Sequence, residues 1–327
     1  MACHQSLALR GRWNLSDTLV RSDPAYCPNA FGVFTRDRHG AQYVCRDDHT
    51  YWDANYVWDV PPPGPHALVD GLLASGPMTV AFVGDSTLQQ VFYATACELE
   101  RADALDVSRW SAQHEEYRKT ETIDQPDGIS LTFAFSRFLR ADLPCAPWCV
   151  NATAEACGAC ADDGAPRAPA LDVRLLDALE RRPDALVLGV GSWYNYHKGL
   201  YDSNAEFHRT LHLLRDELTA AGARAFWYDI PNCGAACDRA RRPEPAYEWE
   251  GIAGKNDVAR RTLGGAVHYL NVSGAVQPRL AADRVWPDGG PTDGMPHYCN
   301  PGRSSIPQFV AHVLLMLLSA CTRHLTS

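Results

Sequence analysis

The sequence predicts an α/β fold, an open parallel sheet with helices on both faces. A short apolar run from Val80 to Val83 is typical of a strand buried on both faces of such a sheet. The residues after it carry apolar side chains at helical spacing, on one face. Strand-like and helical segments then alternate to the end of the 327-residue chain, which is long enough to bury a sizeable core.

Four further strands are predicted after the first. Residues 129–135 alternate polar and apolar side chains, and residues 185–190 form another continuous apolar run. Residues 223–230 and 267–272 complete the set. Because binding sites in open parallel sheets lie at the carboxyl ends of strands, the residues that follow these segments are candidate site residues.

The first two predicted helices follow the first strand and precede the 185–190 strand. One begins at Thr87 and presents one apolar face. The other ends before Pro183. Its predicted apolar face consists of four leucines: Leu171, Leu175, Leu176 and Leu179.

The last two predicted helices have clearer limits. One begins with a capping box of Ser203 and Glu206 and ends at Gly222. Its apolar stripe is Phe207, Leu211, Leu214 and Leu218. The other is the apolar run from Phe309 to Cys321, which contains His312 and is too short to cross a bilayer. We therefore predict a buried terminal helix.

Residues 1–65 differ in composition from the rest of the chain. They are rich in aromatic residues, Asp and Pro, show no clear helical periodicity, and end at a run of three prolines. We expect this Cys- and Trp-rich segment to pack on a core formed by residues 66–327.

The charge and the cysteine content limit the partners and the compartment. The net charge of −9 argues against nucleic acid or an anionic membrane as a partner, and allows a neutral substrate such as a polysaccharide. Twelve cysteines and sequons at Asn14, Asn151 and Asn271 indicate an oxidising, secretory compartment. Met1 is not followed by an apolar leader. Three explanations stay open: a lumenal part of a longer product, a misassigned start, or a wrong secretory interpretation.

The cysteines between positions 145 and 237 predict disulfides rather than a metal site. The spacing of Cys145, Cys149, Cys157 and Cys160 fits common structural zinc sites poorly, so we expect no metal. Cys233 and Cys237 either bridge each other, or one of them pairs with Cys299. The sequence has no phosphate-binding loop and no dinucleotide fingerprint, so no bound cofactor is expected.

The tripeptide Gly84-Asp85-Ser86 is predicted to join the first strand to the first helix. Gly84 permits a sharp turn. The Ser86 hydroxyl would then lie among free backbone N–H groups at the positive end of a helix dipole, a setting that stabilises an oxyanion. Ser86 is therefore a candidate nucleophile, with Asp85 beside it. The alternative is that Ser86 is an ordinary N-cap.

A Gly- and Pro-rich segment before the last helix, residues 288–302, offers the other groups that a nucleophilic serine requires. His297 can accept the serine proton at neutral pH. Asp293 can fix the tautomer of that imidazole, and Asp288 is the alternative acid.

With an early Gly-Asp-Ser and a late Asp and His, the sequence resembles the SGNH hydrolases. It is most similar to their PC-esterase branch, the trichome-birefringence-like polysaccharide O-acetyltransferases and their relatives acting on sialic acid. The resemblance spans nearly the whole chain. The matching motifs are Cys3, Gly11-Arg12-Trp13, Cys27-Pro28, Cys45, Tyr51 to Trp58, Cys97, Gly191-Ser192-Trp193 and His297-Tyr-Cys299-Asn-Pro301-Gly302.

Three features depart from the family pattern. Asp293 and His297 are separated by three residues instead of two. The glycine that supplies an oxyanion N–H in the family's second block has no clear match, and Arg137 is the candidate substitute. The family's Gly-x-Asn-Asp is absent, so Asn195 either supplies the amide or faces solvent.

The resemblance implies an enzyme that moves an acetyl group from a donor, its co-substrate, to a glycan hydroxyl through an acyl-enzyme. The N–H of Ser86 would hold the oxyanion, together with Gly191 or Asn195. Trp193 belongs to an aromatic loop that either stacks on sugar rings or packs over the sheet. Two alternatives stay open: a carbohydrate acetylesterase, and an inactive SGNH-like protein that binds polysaccharide.

The resemblance also implies a location and two disulfides. It places the protein in the Golgi lumen or outside the cell, with membrane contact only through a segment absent from this sequence. It pairs Cys3 with Cys45 and Cys27 with Cys97, so the N-terminal segment would be pinned to the helix after Ser86.

Overall fold

A seven-stranded, mostly parallel sheet organises the part of the chain that the computed structural model describes. The described residues are 13–16, 25–36, 55–58, 64–74, 76–115, 118–143, 169–191, 194, 203–229, 249–270, 272 and 306–323. The strands are β1 Trp13–Ser16, β2 Asn55–Trp58, β3 Met78–Gly84, β4 Trp110–Glu115, β5 Arg118–Ile123, β6 Ile129–Phe135, β7 Ala185–Gly189, β8 Ala225–Tyr228 and β9 His268–Leu270. The helices are α1 Pro28–Phe34, α2 Pro65–Leu73, α3 Ser86–Arg101, α4 Val173–Glu180, α5 Ser203–Ala221, α6 Trp249–Leu263 and α7 Ile306–Arg323.

The strand order of the large sheet is β4-β5-β6-β3-β7-β8-β9. The run from β6 to β9 is parallel throughout. Along the chain these five strands occur in the order second, first, third, fourth, fifth. In doubly wound sheets of this order, ligands bind at the carboxyl ends of the first and third strands, where the order reverses. Here those strands are β3 and β7.

All five predicted strands are confirmed, and their observed limits differ from the predicted ones by a few residues. The antiparallel pair β4–β5, at one edge of the sheet, was not predicted. Ser111, Ala112 and Gln113 of β4 are all exposed, so the sequence there shows no apolar run and no clear alternation. The sheet is therefore mixed rather than wholly parallel.

Helices cover both faces of the sheet, as the alternating pattern predicts. On one face α2, α3 and α7 pack against side chains such as Phe82 and Val187. On the other face α4, α5 and α6 pack against side chains such as Val83 and Leu188. Burial on both faces explains why the central strands read as continuous apolar runs.

Helix α3 is buried on every side from Ser86 to Leu99, whereas its sequence predicts one apolar face. Its buried polar side chains include Gln89 and Gln90. Contacts from α1 and α7 cover the side that would otherwise meet solvent. Tertiary packing therefore overrides the amphipathic pattern here.

Helix α5 follows its predicted pattern. Its four stripe residues are buried, and it ends at Gly222, whose φ of +61° suits glycine. The side chain of Ser203 lies outside the described residues. Its predicted capping partner, Glu206, accepts a hydrogen bond from Arg209 in the next turn.

The predicted leucine face of α4 is partly wrong. Leu175 and Leu179 are buried, but Leu176 is 39% exposed. Leu171 precedes the helix and forms an isolated bridge with Arg140. The helix is so short that two buried leucines, one turn apart, provide its contact with the sheet.

The terminal helix α7 is buried as predicted, and it packs against α2 and α3. His312, on this helix, lies 2.9 Å from a carboxylate oxygen of the buried Glu98 on α3. Within the described ranges, no helix is long and apolar enough to span a membrane.

The predicted disulfide between Cys27 and Cys97 is confirmed, and it joins the N-terminal segment to α3. Two further contacts support the same junction. Tyr26 donates a hydrogen bond to Glu98, and the Glu100 carboxylate accepts the first backbone N–H groups of α1 at Asn29 and Ala30. Cys3 and Cys45 lie outside the described residues, as do the cysteines between positions 145 and 160 and at 233, 237 and 299.

Candidate functional site

The junction of β3 and α3 places Ser86 as the first residue of a 16-residue helix. Asp85 is the N-cap: its carboxylate accepts hydrogen bonds from the backbone N–H of Thr87 at 3.0 Å and from the Thr87 hydroxyl at 2.6 Å. The interpretation of Ser86 as an ordinary N-cap is therefore wrong, because Asp85 performs that role. Ser86 is 9% exposed, at the end of the helix that carries the positive partial charge.

The end of β3 is tied to both neighbouring strands. On one side the backbone N–H of Ser136 donates to the Gly84 carbonyl oxygen at 2.7 Å, and on the other side the N–H of Asp85 donates to the Gly189 carbonyl oxygen at 3.2 Å. These bonds extend the ladder past the last paired residues of β6 and β7. The backbone before Ser86 is thus fixed at the point where the strand order reverses.

The loop after β6 places Arg137 beside the carboxyl end of β3, on the same side of the sheet as the carboxyl ends of the other parallel strands. Its neighbour Ser136 is buried, donates a hydrogen bond to the Asp172 carboxylate at 2.7 Å, and accepts one from the N–H of Leu139 at 3.1 Å. Leu139 is buried with a φ of +56°, a strained value for a bulky side chain. Strain of this kind is concentrated at functional sites, where packing holds it in place.

The loop after β7 carries Gly191 and Tyr194, both buried. The Tyr194 hydroxyl donates to the Phe138 carbonyl oxygen at 2.9 Å and shares a 2.6 Å hydrogen bond with the Thr210 hydroxyl. Burial raises the pKa of Tyr194 well above its ordinary value. For Tyr194, the packing interpretation of the aromatic loop is confirmed. Trp193 and Asn195 lie outside the described residues.

A buried ion pair lies next to both loops. The Arg140 guanidinium binds the Asp142 carboxylate through two N–H groups and donates to the Thr210 hydroxyl at 3.3 Å. Burial opposes ionisation of Asp142, but the guanidinium and the backbone N–H of Ala170 outweigh it, so the pKa of Asp142 lies below its ordinary value. Since Thr210 also bonds Tyr194, the pair connects the loop after β6 to the loop after β7.

Asp229 is a candidate site residue that the sequence reasoning missed. It follows the last residue of β8, so it lies at the carboxyl ends of the strands, as Ser86 does, and it is fully buried. Burial raises its pKa to about 6, although Arg260 lowers it through an ion pair with an N–O distance of 2.6 Å. Strongly perturbed carboxylates of this kind are concentrated at functional sites. The sequence carried no signal for Asp229, because the predicted strand, residues 223–230, extends over it.

The structure therefore brings together four of the predicted site residues at the carboxyl ends of the parallel strands: Asp85, Ser86, Arg137 and Gly191. Five others lie outside the described residues: Trp193, Asn195, Asp288, Asp293 and His297. Within the described ranges, no cluster of His, Cys, Asp or Glu side chains is suited to hold a metal ion.

No protein-family model matches the chain, and no curated protein matches it. The function must therefore be inferred from the residues and their geometry.

Proposed function

We propose that the protein is an O-acetyltransferase that moves an acetyl group to a glycan hydroxyl through an acyl-enzyme on Ser86. The observation that carries this proposal is the position of Ser86, as the first residue of α3 at the reversal point of the sheet. The strand order also supports an SGNH-hydrolase-like fold. The Cys27–Cys97 disulfide supports a location in the Golgi lumen or outside the cell.

In the first half of the reaction, Ser86 Oγ attacks the carbonyl carbon of the acetyl donor while His297 accepts the hydroxyl proton. The bond from the carbonyl carbon to the donor breaks, and the departing group takes the proton from His297. Asp293 is the proposed acceptor for the other imidazole N–H. The products are the enzyme acetylated on Ser86 and the donor without its acetyl group, which now carries the proton.

In the second half, a sugar hydroxyl gives its proton to His297 and attacks the acetyl carbonyl carbon. The bond to Ser86 Oγ breaks, and the serine takes the proton back. Water in place of the sugar would make the same residues an acetylesterase. The difference between the two activities is therefore the positioning of an acceptor and the exclusion of water.

The oxyanion formed in both halves needs donors that are fixed in advance. The backbone N–H of Ser86 lies in the first turn of α3, at the end of the helix that carries the positive partial charge. Gly191 follows the adjacent strand β7, and Arg137 follows β6 on the other side. We assign the second donor to Gly191 or Asn195, with Arg137 as a further cationic group.

The test is the intact mass of the oxidised protein after brief exposure to 4-nitrophenyl acetate. We expect one acetyl adduct on the wild type and none on Ser86→Ala. Ser111→Ala is the matched control, because Ser111 is an exposed serine on β4, and it should acetylate as the wild type does. His297→Ala should lose the adduct as well.

An adduct that persists in Ser86→Ala would overturn the assignment of the nucleophile. A wild type that forms no adduct and hydrolyses no ester would instead favour the inactive, polysaccharide-binding alternative. If the adduct forms, adding a neutral oligosaccharide separates the two enzyme activities. A transferase yields acetylated sugar, whereas an esterase yields free acetate at the same rate with or without the sugar.

A further inference from the structure

Asp229 lies in line with the nucleophile junction across the sheet. The register of β3, β7 and β8, continued past their last pairs, places Asp85, Val190 and Asp229 in one row. With strands about 4.8 Å apart, the backbone of Asp229 lies roughly 10 Å from that of Asp85. A short oligosaccharide that presents a hydroxyl to Ser86 would therefore reach the end of β8.

Arg260, on α6, is held at that position by two carboxylates of different exposure. Its Nη2 donates to Asp229 Oδ2 at 2.6 Å, and its Nη1 donates to Asp257 Oδ1 at 3.3 Å. Asp229 is fully buried, whereas the side chains of Arg260 and Asp257 are 43% and 59% exposed. The guanidinium is thus anchored at a buried point and continues into solvent.

The anchored guanidinium retains hydrogen-bonding capacity. Two of its five N–H donors serve the two carboxylates, and the other donors have no acceptor within the described ranges. The Tyr269 ring, centred 5.9 Å from the guanidinium carbon, further limits its orientation. A donor group with a fixed orientation binds a ligand at a lower entropic cost than a mobile one.

The charges around Arg260 select the kind of ligand. When Asp229 is ionised, it and Asp257 together outweigh the single positive charge of Arg260, so an anionic sugar would meet net repulsion at this arginine. The hydroxyl and ring oxygens of a neutral sugar accept hydrogen bonds without that penalty. Burial also raises the pKa of Asp229, and carboxylates with raised pKa values are concentrated at functional sites.

We propose that Arg260 is part of the acceptor subsite and donates hydrogen bonds to the oxygens of a neutral sugar, with Asp229 as the residue that positions its guanidinium. The inference rests on the proposed transferase function, since it assigns the acceptor side of the same site. It names neutral glycans, rather than glycans of uronic acids, as the substrate class.

The test compares Arg260→Lys with Arg261→Lys, its exposed neighbour on the same helix. Lysine keeps the charge that pairs with Asp229 but lacks the planar fork of donors. We expect Arg260→Lys to form the acetyl-enzyme from 4-nitrophenyl acetate at the wild-type rate. Its apparent KM for a neutral glucose, xylose or mannose hexamer should rise about tenfold, the effect of losing one hydrogen bond. Arg261→Lys should leave both values unchanged.

Asp229→Asn should also raise the acceptor KM, because the guanidinium loses its ionic anchor, while acylation continues. Thermal unfolding of each variant shows whether the fold is retained. Titration of the same neutral hexamers without any donor should show about tenfold weaker binding to Arg260→Lys than to the wild type.

An acceptor KM and a hexamer affinity equal to wild type in Arg260→Lys would overturn the inference, and so would a preference of the wild type for a galacturonic acid hexamer. Failure of the proposed function gives a different result. In that case the wild type forms no acetyl-enzyme, whereas the donor-free titration still tests the subsite.

Discussion

A Cβ atom added to Gly84 would lie 2.2 Å from the carbonyl oxygen of Gly189. The two central strands therefore meet backbone to backbone at the residue before the Asp85–Ser86 junction. The same oxygen accepts the N–H of Asp85, so the close approach and the hydrogen bond occur at one place. The absence of a side chain at Gly84 thus determines how close the ends of β3 and β7 lie beside the candidate nucleophile.

Gly84→Ala should disrupt the site, because the clash is with backbone that cannot rotate away. Overpacking of this kind typically destabilises a protein by about 1–3 kcal/mol. We expect a loss of that size in the free energy of unfolding by urea, and acetylation of Ser86 at least tenfold slower than in the wild type.

Gly254→Ala is the control for Gly84→Ala. Gly254 lies in α6 with no atom near an added Cβ, so alanine there should be neutral or stabilise the protein by up to about 1 kcal/mol. Equal unfolding free energies for the two variants would show that β3 and β7 can separate without penalty.

Removal of the Cys27–Cys97 disulfide should destabilise the protein. The two cysteines are 70 residues apart, and both are buried beneath the contact between α1 and α3. Closing a loop of this kind typically contributes about 2–4 kcal/mol. The double variant Cys27→Ala/Cys97→Ala should lose about that much in urea unfolding, while its acetylation at Ser86 persists under native conditions.

The reference for this experiment is the oxidised wild type, measured with and without a reductant. The reduced wild type should lose at least as much stability as the double variant. A double variant as stable as the oxidised wild type would mean that packing and the Glu100 cap alone hold α1 on α3.

The stability of the protein should carry a pH-dependent contribution from Asp229. Its pKa is raised from 3.8 to about 6 in the folded state, so between those values the folded chain binds more protons than the unfolded chain. The free energy of unfolding due to this group therefore decreases as the pH rises from about 4 to 6, by about 3 kcal/mol in total. The direction is opposite to that of Asp142, whose pKa is lowered.

Asp229→Asn isolates this contribution, because the amide does not titrate. The stability of the wild type relative to Asp229→Asn should fall across that window in urea unfolding at pH 4, 5, 6 and 7. Gly254→Ala, which removes no titratable group, should show a flat difference. A flat difference for Asp229→Asn as well would mean that Arg260 fully compensates for the burial of Asp229.

Several residues at the carboxyl ends of the strands could be predicted from the sequence, and others could not. Ser86, Gly191 and Arg137 were predictable because each follows a segment with the pattern of a strand, continuous and apolar before Ser86 and Gly191 and alternating before Arg137. Asp229 was not, because the predicted strand extended over it and its burial depends on α6, which is distant in the sequence. The anchoring of Tyr194 likewise depends on Thr210 and the loop after β6.

The sequence by itself determined the alternation of strands and helices, since burial on both faces of the sheet requires apolar runs that can be read locally. It also determined the limits of α5 and the burial of α7. Tertiary structure alone decided three features: the antiparallel edge β4–β5, the burial of α3 on all sides, and the ion pair of Asp229 with Arg260. The last two depend on contacts between segments far apart in the chain, about which local periodicity carries no information, and the adjacent strands β4 and β5 could not be predicted because β4 shows neither an apolar run nor a clear alternation.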